Sequence, residues 1–265
     1  MKGATDTHIH FYDRAAPAAP GTLVPGHFDV PMYRELQRRL GLERVVVVQP
    51  NAYRDDNRVT LDAVKVLGKS ARAVVVVGEH ISQKELQTLA EAGVVAQRFF
   101  NLPGGSVQFE RMDAIMARVH PFGWHANLQL DGRDLPKHEA QIRRLPGKFV
   151  IDHNGKFLEP VGTDHAAFRI LLSLLDTGRC WVKLSAPYET SKTGGPKYED
   201  VSRLARALVK HAPERMLWAT NWPHPTVPPG TLDDLELLEL LEDWAPREAD
   251  RRRILVDNPA QLYGF

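Results

Sequence analysis

Two histidines one residue apart, His8 and His10, open the set of side chains in this 265-residue chain that could do chemistry. A second block reads Asp152-His153-Asn154-Gly155-Lys156 and a third Thr220-Asn221-Trp222-Pro223-His224. Residues at i and i+2 of an extended strand point to one face, so His8 and His10 can share one target. Burying two such imidazoles is costly without a role, which favours function over core filling. Asp152 and His153 are adjacent, so the same alternation expects Asp152 to face away and make a supporting contact outside. Arg98 stands in the apolar run Val94-Val95-Ala96-Gln97-Arg98-Phe99, where a permanent cation calls for a specific anion. With Lys156 it suits a substrate carboxylate, Arg98 as a bidentate fork. Gln49, Asn51, Asn101, Asn127, Gln129, Tyr188 and His224 offer donors and acceptors of the kind that bind sugar hydroxyls. His125 is divided between a satisfied core histidine and a binding residue. The six histidines at 27, 80, 120, 138, 165 and 211 fall in loops or helices and are assigned no role.

These residues need a scaffold that brings distant segments together, and the pattern supplies one. Short β-branched runs alternate with amphipathic segments, which signals parallel βα units. Eight strands are expected at Ala4–Ile9, Arg44–Gln49, Arg72–Val77, Val94–Phe99, Trp124–Leu130, Phe149–His153, Trp181–Ser185 and Met216–Thr220. Runs such as Val45-Val46-Val47-Val48 suit strands covered on both faces. Helical patterns lie between them, among them Pro31–Leu40, Leu61–Lys69, Gln83–Glu91, Met112–Val119 and Val201–Lys210. Eight such units without a spare strand predict one α/β domain over residues 1–265, a closed (β/α)8 TIM barrel. The polar candidates fall at the C-terminal ends of the strands, the rim on which barrel active sites are built.

Composition narrows the class. The chain is 43% hydrophobic and 25% charged with a formal net charge of +1, so nothing points to nucleic acid. Cys180 is the single cysteine, which excludes a disulfide within the chain, and its apolar neighbours mark a small core residue. No apolar run is long enough to span a membrane and the first residues lack a secretory pattern, so a cytoplasmic protein is expected. No GxGxxG follows the first strand, against dinucleotide binding. The sequence leaves the oligomeric state open.

Thr5-Asp6-Thr7-His8-Ile9-His10, Asp152-His153-Asn154-Gly155 and Leu217–His224, in that order on strands one, six and eight, resemble the amidohydrolase superfamily. More narrowly they resemble its lactonase branch, and the likeness runs through Asn258-Pro259-Ala260-Gln261-Leu262-Tyr263. Leu102–Val107, Asp152–Phe157 and Asn221 are most similar to the lactone-isomerising members of that branch. Binuclear members use two histidines on strand one, a carboxylated lysine on strand four, histidines on strands five and six, and an aspartate on strand eight. This chain has Arg98 on strand four and Asn221 on strand eight. A guanidinium repels a divalent ion and an amide offers it no charge, so no metal and no other cofactor is expected.

Without metal, a lactone carbonyl must be polarised by placed donors, for which His8, His10 and His153 are candidates. The aspartate that Asn221 replaces would deprotonate water in a hydrolase, and an amide cannot take that proton. The expected activity is therefore interconversion of the 1,5- and 1,4-lactones of an aldaric acid such as galactarate. The substrate's own hydroxyl attacks, Asn221 orients, and His153 or His10 shuttles the proton. The competing readings are a lactone hydrolase and a non-catalytic barrel that binds sugar acids.

Overall fold

The computed structural model describes residues 1–265. Its strands are β1 (Thr5–Ile9), β2 (Arg44–Val48), β3 (Ala71–Val75), β4 (Val94–Asn101), β5 (His125–Leu130), β6 (Phe149–Ile151), β7 (Cys180–Leu184) and β8 (Met216–Trp218). Each pairs in parallel with the next. The ring closes between its ends. Thr7 Oγ1 donates to the Trp218 carbonyl (2.9 Å), and just past β8 the Asn221 amide donates to the His8 carbonyl (3.0 Å). His10 in turn donates to the Trp222 carbonyl (2.8 Å). The architecture is the expected (β/α)8 barrel.

The valines of β2 show why. Val45, Val46, Val47 and Val48 are all fully buried, which only a strand covered on both faces allows. Val45 and Val47 pack outward beneath the helices. Val46 and Val48 point inward, where they meet Val74, Ala96, Val150, Trp181 and Leu217. This apolar plug is sealed by Leu262 and Tyr263, and it forms the floor on which the polar side chains stand.

Outside lie α1 (Val30–Arg39), α2 (Arg58–Leu67), α3 (Gln83–Glu91), α4 (Met112–Val119), α5 (Leu135–Arg144), α6 (Ala166–Leu175), α7 (Glu199–His211) and α8 (Asp234–Trp244). In α7, Val201, Leu204 and Leu208 form the buried stripe that their spacing implies. Two short helices, α9 (Glu248–Arg252) and α10 (Asn258–Tyr263), flank a π-helical turn and deliver Tyr263 to the plug. Cys180 is fully buried, and burial pushes its thiol up, as fits a core residue. No helix is long and apolar enough to cross a membrane.

β6 and β8 stop two residues short of the expected strands Phe149–His153 and Met216–Thr220, where the residues that carry the site begin. His153, Asn154, Lys156, Ala186, Asn221 and His224 all adopt positive φ, from 45° to 61°. Left-handed backbone is costly for residues other than glycine, and it gathers here at the mouth of the barrel.

Candidate active site

Inward positions stack in layers above the plug. β5 shows this most simply: Ala126, Leu128 and Leu130 pack outward, so His125, Asn127 and Gln129 climb the inner wall. His125 is lowest, its ring 5.5 Å from that of Tyr263, at the N-terminal end of the strand. It belongs to the floor and does not reach the mouth.

The middle layer is a buried charge cluster. Lys183 on β7 is fully buried and donates to Asn127 Oδ1 (2.8 Å) and His8 Nδ1 (3.0 Å), and it pairs with Asp152 Oδ1 at 3.1 Å. Asn127 Nδ2 donates to the other Asp152 oxygen (2.9 Å). Burial alone would raise Asp152, but Lys183 and His8 hold it well below the usual carboxylate range. Burial lowers Lys183, and Asp152 opposes that shift. Burial, then Lys183, holds His8 well below its ordinary value, so it is neutral.

Above this layer opens a pocket of about 410 Å³ lined by His10, Asn51, Arg98, Gln129, His153, Lys156 and Asn221. Tyr12, Glu189 and Thr226 complete its polar wall. Arg98, on β4, donates to the Gln49 carbonyl (2.6 Å) and to Gln129 Oε1 (2.7 Å), while its buried Nε has no partner. Lys156 and Glu189 form an ion pair, both nearly buried. Asn221 Nδ2 donates to Tyr188 Oη (2.9 Å) and to Glu189 Oε1 (3.2 Å). Burial would raise Glu189, but Lys156 and His153 outweigh it and bring the carboxyl down to about 2. His153 Nδ1 meets Ser185 Oγ at 2.8 Å, leaving Nε2 as its free nitrogen. Burial and then Lys156 lower this imidazole to about 4, so it too is neutral at neutral pH.

A larger open groove of about 730 Å³ runs beside α3, lined in part by Glu79, His80, Lys84 and Arg111. Glu79 pairs there with Arg111 (3.3 Å), and nothing converges on it as the buried groups converge on the mouth.

The remaining sequence candidates lie elsewhere. Gln49 spends its side chain on the loop after β2, donating to the Arg54 and Asp56 carbonyls (3.2 and 2.8 Å) and accepting from Thr60 (2.6 Å). Asn101 contacts His138 (3.2 Å) and the Phe109 amide (3.0 Å), outside the pocket. Tyr188 and His224 stand behind Asn221: Tyr188 Oη meets His224 Nδ1 at 3.0 Å, and His224 Nε2 faces Asp234 Oδ1 at 3.0 Å. The outward placement expected of Asp152 is corrected. β6 ends at Ile151, whose side chain points out, so Asp152 points in; left-handed His153 (φ 54°) then resets the chain and points in as well. Glu189 was missed, because only the short turn Pro187–Glu189 carries it back to the pocket and nothing in the sequence marks that turn. Lys183 falls inside the expected strand Trp181–Ser185, where no local pattern points to its partners His8, Asn127 and Asp152.

His8, Asp152 and His153 bring possible metal-ligating atoms within 4.8 Å of one another. The set does not fit a divalent ion, because the Lys183 ammonium already holds both His8 Nδ1 and Asp152 Oδ1. Arg98 adds a second buried cation at the pocket.

A parallel barrel with paired strand-one histidines and an aspartate-histidine turn after strand six marks an amidohydrolase-type enzyme, here with an amide after strand eight in place of an aspartate. Residues 5–265 match the amidohydrolase family model, and the chain belongs to that family. It is 40% identical to D-galactarolactone isomerase of Agrobacterium fabrum, over 99% of this chain and 91% of that protein. It is 35% identical to 2-pyrone-4,6-dicarboxylate hydrolase of Comamonas testosteroni, over 98% of this chain and 90% of that protein. An apo crystal structure from Agrobacterium tumefaciens superposes with a TM-score of 0.93 at 40% identity, covering 99% of this chain and 96% of that one.

Proposed function

We propose that this enzyme interconverts the 1,5- and 1,4-lactones of an aldaric acid, a reading supported by its 40% identity to a protein named D-galactarolactone isomerase. The observation that carries this reading is the state of the groups at residue 221. Asn221 is an amide, and both oxygens of the neighbouring Glu189 are engaged, one by Lys156 and the other by Asn221 and Thr226. The mouth therefore offers no free carboxylate to deprotonate water.

The substrate carboxylate docks on Arg98, whose unpaired Nε lacks an acceptor. The hydroxyl on C4 attacks C1 and gives up its proton to His153 Nε2, forming a tetrahedral centre. That centre collapses, the bond from C1 to the C5 oxygen breaks, and His153 returns the proton to the C5 oxygen. No water is consumed. Asn221 Oδ1 accepts from a substrate hydroxyl and orients it. An attack within one molecule has an effective molarity of roughly 10^5 M or more, so it outruns water without a strong base.

Proton NMR of a 1,5-aldarolactone with the enzyme tests this. The reading expects the 1,4-lactone to appear above the buffer rate. Free diacid in its place identifies a hydrolase, and saturable binding without turnover identifies a sugar-acid binding barrel.

A further inference from the structure

The His8–His10 pair holds a chain of hydrogen bonds whose directions can be read from one fixed end. His10 Nδ1 lies 2.7 Å from the Val48 carbonyl, which can only accept. His10 Nδ1 therefore carries the proton, and neutral His10 presents a lone pair at Nε2. His8 Nε2 lies 3.2 Å from that nitrogen. Two lone pairs would repel at this distance, so His8 Nε2 is the donor. Neutral His8 then has a lone pair at Nδ1, which needs a donor of its own. Lys183 Nζ is that donor, 3.0 Å away and fully buried.

We infer that Lys183 is a positioning residue whose ammonium fixes the tautomers of His8 and His10 and thereby keeps a divalent metal out of the histidine pair. Both nitrogens of His10 are spent in the chain, so His10 shapes the pocket wall and the proton traffic falls to His153. The inference stands on this geometry alone and holds whichever lactone reaction the pocket performs.

Removing the ammonium would reverse the chain. His8 Nδ1 could then carry its proton towards Asp152 Oδ1, 3.4 Å away, which is how a carboxylate supports a metal-bound histidine. His8 Nε2 would turn a lone pair towards that of His10. Two zinc–nitrogen bonds of about 2.0–2.1 Å at a tetrahedral angle span nearly the separation these nitrogens already have. The His153 ring, its centroid 4.8 Å from that of His8, would supply a third ligand.

The test uses metal-stripped wild type and Lys183→Met, titrated with zinc and with cobalt(II) and assayed by elemental analysis after desalting. The expected result is one ion per chain in Lys183→Met, bound at least 100-fold tighter than by wild type, and lost again when His10→Asn is added. Stoichiometric zinc in the wild type overturns the inference, as does a folded Lys183→Met that binds no better than wild type. Should the variant not fold, nitrogen-15 NMR of histidine-labelled wild type decides. The expected pattern is His8 protonated on Nε2 and His10 on Nδ1; His8 protonated on Nδ1 overturns the inference.

Discussion

Asn221 Nδ2 lies 3.2 Å from Glu189 Oε1, with the Tyr188 hydroxyl on its other hydrogen at 2.9 Å. An amide fits between these acceptors because it can donate to both. The turn that aims it is set from β1: Asp6 accepts from the Thr220 amide (3.1 Å) and hydroxyl (2.6 Å), and Thr220 Oγ1 accepts from the Trp222 amide (3.0 Å). Asn221 itself adopts φ 61°, which asparagine tolerates better than most residues.

Asn221→Asp would place a second carboxylate against Glu189. Two carboxylates so close titrate as a pair, and the upper apparent pKa rises. Chromatography should show free diacid accumulating beside the 1,4-lactone, at a rate that climbs above pH of about 5. Adding Glu189→Gln should move that rise to lower pH, while leaving Lys156 unpaired at a cost of about 3 kcal/mol in stability. A folded Asn221→Asp enzyme that forms no diacid at any pH would show that residue 221 does not choose between water and hydroxyl.

His153→Gln should lower kcat by roughly 10²–10⁴-fold, the usual contribution of a positioned proton carrier. The wild-type pH profile gives an independent check. His153 accepts a proton only when neutral, so activity should stay level from neutral pH downward and be halved near pH 4. A break near the unperturbed histidine value of about 6.5 would point to another group.

Arg98→Met should raise KM by roughly 10–100-fold with little change in kcat, because a charged hydrogen bond to the substrate is worth about 1.5–3 kcal/mol. Steady-state kinetics alongside a melting curve would separate this from unfolding. An unchanged KM would remove Arg98 from carboxylate binding.

Tyr188→Phe removes one acceptor of Asn221 without touching the pocket wall. A loss of about 1–1.5 kcal/mol in orientation corresponds to roughly a tenfold drop in kcat at constant KM. A variant with wild-type kinetics would confine the Tyr188–His224 contact to structure.

The barrel was legible because its signal is local and redundant. Four fully buried valines on β2 and the three-and-four spacing of α7 each announce their element unaided. The site was legible only where a residue type is rare in its setting, as with Arg98 in an apolar strand or two histidines on one strand face. Gln49, Asn101 and His125 show the limit. Asn101 and His125 lie on strands and Gln49 just past one, yet a carbonyl seven residues on, a neighbouring helix, or depth along the barrel decides what each touches. Asp152 was misdirected by extending strand alternation past Ile151 into left-handed backbone. Glu189 depends on a loop closing over Lys156, a contact between residues 33 apart that no local pattern encodes.

The central claim is that the lactone is opened by its own hydroxyl and not by water. Running the reaction in oxygen-18 water and weighing the products by mass spectrometry tests this directly. The account predicts 1,4-lactone carrying no heavy oxygen beyond the uncatalysed background. Diacid or lactone carrying heavy oxygen in a carboxyl or lactone oxygen at the rate of turnover would contradict it.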